Sequence, residues 1–78
     1  MSDKNKFTLH LGELFFLKRK QRDLTQQEIA SKLNITRAAI SNIETGKCSP
    51  TLENTLLLML FLKINIADID QLARRYLK

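Results

Sequence analysis

The sequence predicts an all-α fold of five short helices. Two observations carry that reading. Apolar residues recur three and four positions apart along most of the chain, and nowhere do they alternate with polar ones over the length of a strand. Polar residues of the kind that cap helices, such as Thr25, Thr36 and Asn65, stand just ahead of the apolar runs.

The polar start from Met1 to Lys6 is expected to fray. After it, "FTLHLGELFFLKRKQR" sets Leu11, Leu14, Phe15 and Leu17 at helical intervals, which predicts a first helix over roughly 8–22. In "TQQEIASKL", Thr25 and Glu28 have the spacing of a capping box, in which each side chain accepts from a backbone N–H that the helix leaves unpaired. Ile29, Ala30 and Leu33 then share one face of a short second helix. Asn34 follows where the chain must turn, and asparagine tolerates the left-handed conformation better than most residues. Thr36 can cap a third helix that turns Ala39, Ile40 and Ile43 inward and ends near Glu44, with Gly46 as its stop. In "CSPTLE" a polar cap candidate stands beside Pro50, so the fourth helix is expected to start there and to run to about Lys63. Asn65 and Asp68 repeat the capping-box spacing and open a fifth helix that ends in the basic "RRYLK".

Seventy-eight residues suit one domain, here 1–78, with a core small enough to profit from a partner. A composition of 44% hydrophobic and 27% charged residues is that of a globular chain. Thirteen Lys and Arg against eight Asp and Glu leave a charge of +5, which favours a polyanion such as nucleic acid or an anionic membrane. Lys18, Arg19, Lys20 and Arg22 gather part of that charge at one end of the first helix. The single Cys48 allows no internal disulfide, the start lacks an apolar signal core, and the apolar run from Leu56 to Leu62 is too short to span a bilayer. A cytoplasmic, reduced protein that does not enter a membrane is expected.

Catalysis needs a nucleophile beside a base, paired carboxylates or a metal cluster, and one His10 with one distant Cys48 supplies none of these. His10 reads as a surface or helix-start residue and Cys48 as a loop thiol. No enzyme, metal or cofactor is implied.

The segment "LTQQEIASKLNITRAAISNIETGK" holds Ile29, Ala30, Leu33, Ile35, Ile40 and Ile43 inward around a turn at Asn34. Two helices that cross steeply over a short turn need a small residue where they touch, and Ala30 supplies it. This segment resembles the helix-turn-helix of the Cro and phage-repressor (XRE) family of DNA-binding proteins. The resemblance extends through "LGELFFLKRKQRDLTQ" before it and "ETGKCSPTLENTLLLML" and "INIADI" after it, so it covers roughly residues 9–70. It implies a lambda-repressor-like domain that acts as a transcriptional regulator, more specifically a repressor, with double-stranded DNA as partner and the third helix, about 36–44, in the major groove.

On that helix the outward set is Thr36, Arg37, Ala38, Ser41 and Asn42. Arg37 can place two donors on a guanine, Asn42 can pair bidentately with an adenine, and Ala38 or the Thr36 methyl can meet a thymine methyl. Gln26 resembles the family's phosphate-binding glutamine; Thr25, Thr45 and Lys47 are placed for the flanking backbone, and Lys20 and Arg22 add attraction that does not choose sequence. Arg19 and Glu44 match a pair that the family uses as an ion pair between the first helix and the end of the third.

The chain also departs from the family. Lys18 stands where a core leucine is usual, while Leu14, Phe16 and Leu17 occupy positions usually polar. In the fourth helix "TLLLMLFL" is apolar all round, including Leu57 and Leu60 where relatives carry charge, and a lone five-helix domain cannot bury all of it. A homodimer on a palindromic operator is the expected consequence, with Leu57, Leu60, Phe61, Ile69, Leu72 and Tyr76 as interface candidates. Lining of a small-molecule pocket by Leu57, Met59, Leu60 and Phe61 is the weaker reading of the same residues. Two rival functions keep the fold: an antitoxin that binds a toxin partner and represses its own operon, and a protein-interaction module that does not bind DNA.

Overall fold

The computed structural model describes residues 3–77, with side chains from residue 6. Its order is α1 (Asp3–Gln21), α2 (Gln26–Leu33), α3 (Arg37–Glu44), α4 (Leu52–Leu62) and α5 (Ile66–Ala73), and the described residues contain no strand. Helix α1 is the spine: α3, α4 and α5 pack against it, and α2 packs against α3 and α4.

The local signals for α2, α3 and α5 hold. Thr25 and Glu28 form the full capping box, as do Asn65 and Asp68, and the Thr36 hydroxyl accepts the Ala39 N–H at 3.0 Å. Asn34 is left-handed at φ 58°, which ends α2 in time for α3 to start three residues on. Three boundaries differ from the sequence reading: α5 ends at Ala73, ahead of the basic residues that open at Arg74, and the starts of α4 and α1 both move. Helix α4 is capped by Thr51, whose hydroxyl accepts the Asn54 N–H at 3.0 Å, so Pro50 precedes the helix. Helix α1 begins at Asp3 rather than Thr8, so Asp3 to Lys6 continue the helix; Met1 and Ser2 lie outside the described residues. The far end of the chain braces this part of the helix. Phe7 meets the Tyr76 ring edge-on at 5.2 Å, and the His10 Nδ1 hydrogen-bonds the Tyr76 hydroxyl, so the turn after α5 covers the first half of α1.

The core is built from Phe15, Ile29, Ala30, Leu33, Ile40, Ile43, Leu58, Leu62 and Ile64, with Leu11, Leu14, Leu24 and Ile35 packed at its edge. Ala39, expected in the core, is only half-buried and faces the loop after α3. Lys18 is half-buried and ion-paired with Asp68 at 3.3 Å, which ties α1 to α5 by charge. Leu17 and Phe16 stay exposed, and the Arg19 guanidinium lies over the Phe16 ring at 5.4 Å.

The interface candidates divide. Leu72 is buried inside the chain at 8% exposure, Phe61 and Ile69 pack on the core, and Tyr76 is spent on α1. Leu57 and Leu60 remain exposed, joined by Leu52 and Leu56 on the same helix.

Candidate nucleic-acid interface

Three helices converge on one carboxylate. Glu44, at the end of α3, accepts from Arg19 of α1 twice, at 2.7 Å from Nε and 3.2 Å from Nη2, and from Gln26 Nε2 of α2 at 2.9 Å. Arg19 Nη1 donates to the Leu24 carbonyl at 2.8 Å, so the guanidinium also holds the chain entering α2. Both charged side chains are buried, and among the described residues no buried side-chain nitrogen or oxygen lacks a partner. That satisfaction is the condition under which a buried ion pair is tolerated.

Gln26 carries the chain of bonds outward. Its Nε2 faces the carboxylate, which can only accept, so its Oε1 must face a donor, and Arg37 Nη1 supplies one at 3.1 Å. The expected phosphate-binding and base-reading side chains are thus joined, with the order Arg19, Glu44, Gln26, Arg37 running from the buried interior to the exposed start of α3. The other donors of the Arg37 guanidinium remain for a ligand.

The remaining expected residues fall into distinct places. Thr36, Arg37 and Ala38 are exposed at the start of α3; Ser41 and Asn42 are half-buried, and Asn42 lines a shallow groove with Cys48, Pro50 and Asn54. At the start of α2, Lys20 lies with Thr25 and Gln26 around an open depression. The Thr25 hydroxyl accepts from Glu28 N–H, which leaves its own proton free to donate. The Gln26 and Gln27 amides occupy the first turn, where a helix provides no acceptor.

Two candidates are engaged elsewhere. Arg22 Nε donates to the Leu62 carbonyl at 2.6 Å, so this side chain closes the C-terminus of α4. The Thr45 hydroxyl donates to the Ser41 carbonyl at 2.9 Å, and the amides of Thr45, Gly46, Lys47 and Cys48 are all bonded to α3 carbonyls. A phosphate needs donors, and in this loop the exposed Lys47 ammonium is the expected residue that still has them.

Sequence reasoning missed Gly12. A Cβ there would overlap the Ile43 carbonyl oxygen and lie 2.9 Å from that of Glu44, so the missing side chain lets α1 touch the backbone at the end of α3. The signal was available, because a glycine inside a helix costs about 1 kcal/mol against alanine and asks for a packing reason. Gly46 has both reasons at once: a φ of 79°, and Leu9 Cα 2.9 Å from where its Cβ would stand.

With α2 packed on α3, Ala30 fully buried, the turn at Asn34 and the ion pair in place, the arrangement meets its family match. A family model described as helix-turn-helix matches residues 17–69. The chain belongs to the XRE/Cro-type helix-turn-helix family. Searches of curated proteins and of solved structures found no match. Membership in this helix-turn-helix family implies DNA as partner and a part in transcriptional regulation, and the family is typically non-catalytic. Among the described residues, no helix of this helix-turn-helix protein is long and apolar enough to cross a membrane.

Proposed function

We propose that the whole chain is one domain that acts in the cytoplasm as a sequence-specific transcriptional repressor, binding a palindromic operator as a dimer with α3 in the major groove. The observation that carries this reading is the bonded series from Arg19 and Glu44 through Gln26 to Arg37. A phosphate contact sets register and a base contact sets sequence, and here the two side chains proposed for those tasks hold each other before DNA arrives. Preorganisation of this kind reduces the entropy lost on binding. Repression requires only that the site be occupied, which a small domain can do alone.

The assignments are Thr36, Arg37, Ala38, Ser41 and Asn42 toward bases, and Thr25, Gln26, Lys20 and Lys47 toward phosphates. Arg22 keeps its Nη donors while its Nε holds the Leu62 carbonyl, so it stays with the phosphate set, whereas Thr45 contributes after giving up its bond to Ser41. The test is selection of bound duplexes from a random pool. It is expected to recover an inverted repeat with half-sites about one helical turn apart. Binding should also weaken steeply with salt as counterions are released.

Two substitutions separate the roles. Arg37→Ala is expected to lower affinity for the selected site about tenfold and to relax choice at one base pair. Lys47→Ala is expected to weaken selected and random duplexes alike. Equal losses on both kinds of duplex for Arg37→Ala would remove it from the base-reading set.

A further inference from the structure

Helix α4 is apolar on two opposite sides. Leu58 and Leu62 are buried in the core, whereas Leu52, Leu56, Leu57 and Leu60 are 76%, 57%, 41% and 76% exposed. At ~100° per residue, Leu56 and Leu60 stand at the middle of the outer face, with Leu52 to one side and Leu57 to the other. Glu53 in the first turn and Lys63 at the C-cap are both exposed and are the charged residues of this stretch. The outer face is therefore an apolar row with a negative charge at its start and a positive one at its end.

We infer that a second copy of this chain covers this face, with the two α4 helices packed antiparallel about a two-fold axis. The inference names the dimer contact for the regulator proposed above and rests on that reading for its use on DNA. The argument is self-complementarity. Across an antiparallel two-fold, paired positions are symmetric about one point of the sequence. The register that sets Leu56 opposite Leu60 is centred on position 58, and the same register brings Glu53 of each copy level with Lys63 of the other. Apolar pairing and charge pairing thus select one register. A parallel pair would instead set Glu53 beside Glu53, Lys63 beside Lys63, and the two helix dipoles alongside in the same sense. The candidates on and after α5 are engaged within the chain: Leu72 is buried, Ile69 packs on the core and Tyr76 is packed on α1.

Sedimentation equilibrium of the protein without DNA is the test. The wild-type chain is expected to dimerise at concentrations of about 50 µM or below. Leu60→Glu is expected to be monomeric at that concentration, and Glu53→Lys and Lys63→Glu each to weaken association about tenfold. The double variant E53K/K63E restores the opposite charges and is expected to recover most of the loss. These side chains are exposed, and circular dichroism of each variant verifies the fold. In a Cys48→Ser background, mixing L56C with L60C is expected to give a disulfide-linked mixed dimer in preference to either variant oxidised alone. A wild-type chain that stays monomeric, or a dimer indifferent to L60E and to both charge reversals, overturns the inference. Association only with a different protein overturns it as well. Half-site DNA binding separates this from the functional reading: monomeric L60E should still bind a half-site, and an intact dimer that binds no DNA strikes the function while leaving the α4 contact standing.

Discussion

Glu44→Ala is expected to lower the stability of the domain by about 3–5 kcal/mol and to lower DNA affinity with it. The magnitude follows from what the substitution leaves behind. Arg19 is 7% exposed, and without the carboxylate its Nε and Nη2 lose their acceptor, leaving only the bond from Nη1 to Leu24. Gln26 Nε2 loses its acceptor too, and with it the reason for its amide to face Arg37 oxygen-first. A domain of this size has a total stability near the lower end of about 5–15 kcal/mol, so the variant approaches its unfolding midpoint without denaturant. Urea unfolding followed by helical signal measures the first loss, and titration with the selected duplex under conditions where the variant is still folded measures the second. A fully stable Glu44→Ala with lost affinity would make Glu44 a contact rather than a support.

Gly12→Ala tests the same support from the other side. Alanine is the better helix former by about 1 kcal/mol, so on an isolated helix the change would stabilise. Here the new Cβ meets backbone oxygens of Ile43 and Glu44, which have no rotamer by which to move away. Overpacking of a well-filled site costs about 1–3 kcal/mol and more where the neighbour is rigid, so the clash outweighs the propensity gain, and a net loss of about 2 kcal/mol is expected. The more specific consequence is geometric. The end of α3 must shift off α1, and Glu44 sits at that end, so the distances from Arg19 to Glu44 lengthen as well. A crystal structure or amide exchange of the variant should show the disturbance concentrated at the α1–α3 contact. Unchanged stability would mean that α3 can slide along α1 at no cost, and the close approach would then carry no positioning role.

Sequence and structure agree where interactions are local. The Thr25–Glu28 and Asn65–Asp68 boxes close over three residues, and the Asn34 turn needs only its own backbone, so each could be read from a short segment. The inward set Ile29, Ala30, Leu33, Ile40 and Ile43 was legible for a related reason: helical period alone decides which side chains share a face. The family pair Arg19 and Glu44 was legible through resemblance, and the structure adds Gln26 as a third member.

The failures share one cause as well. Helix α1 extends ahead of Thr8, and its Phe7 and His10 meet Tyr76 from the far end of the chain. Arg22 is tied to the end of α4 because the Leu62 carbonyl is within reach of its Nε. Leu72 passes from interface candidate to buried residue because α5 lies against α1. Each depends on which distant group occupies the space beside a side chain, and no period or cap records that.

The sequence by itself therefore determined the five-helix class, the helix-turn-helix and the family, because these are written in spacings of three to four residues and in caps that act within one turn. Only the tertiary structure decided which cation ties down the end of α4, which glycine admits the end of α3, and which leucines of α4 are left facing outward. Those are outcomes of competition for neighbours in space, settled once α1 brings the other elements together.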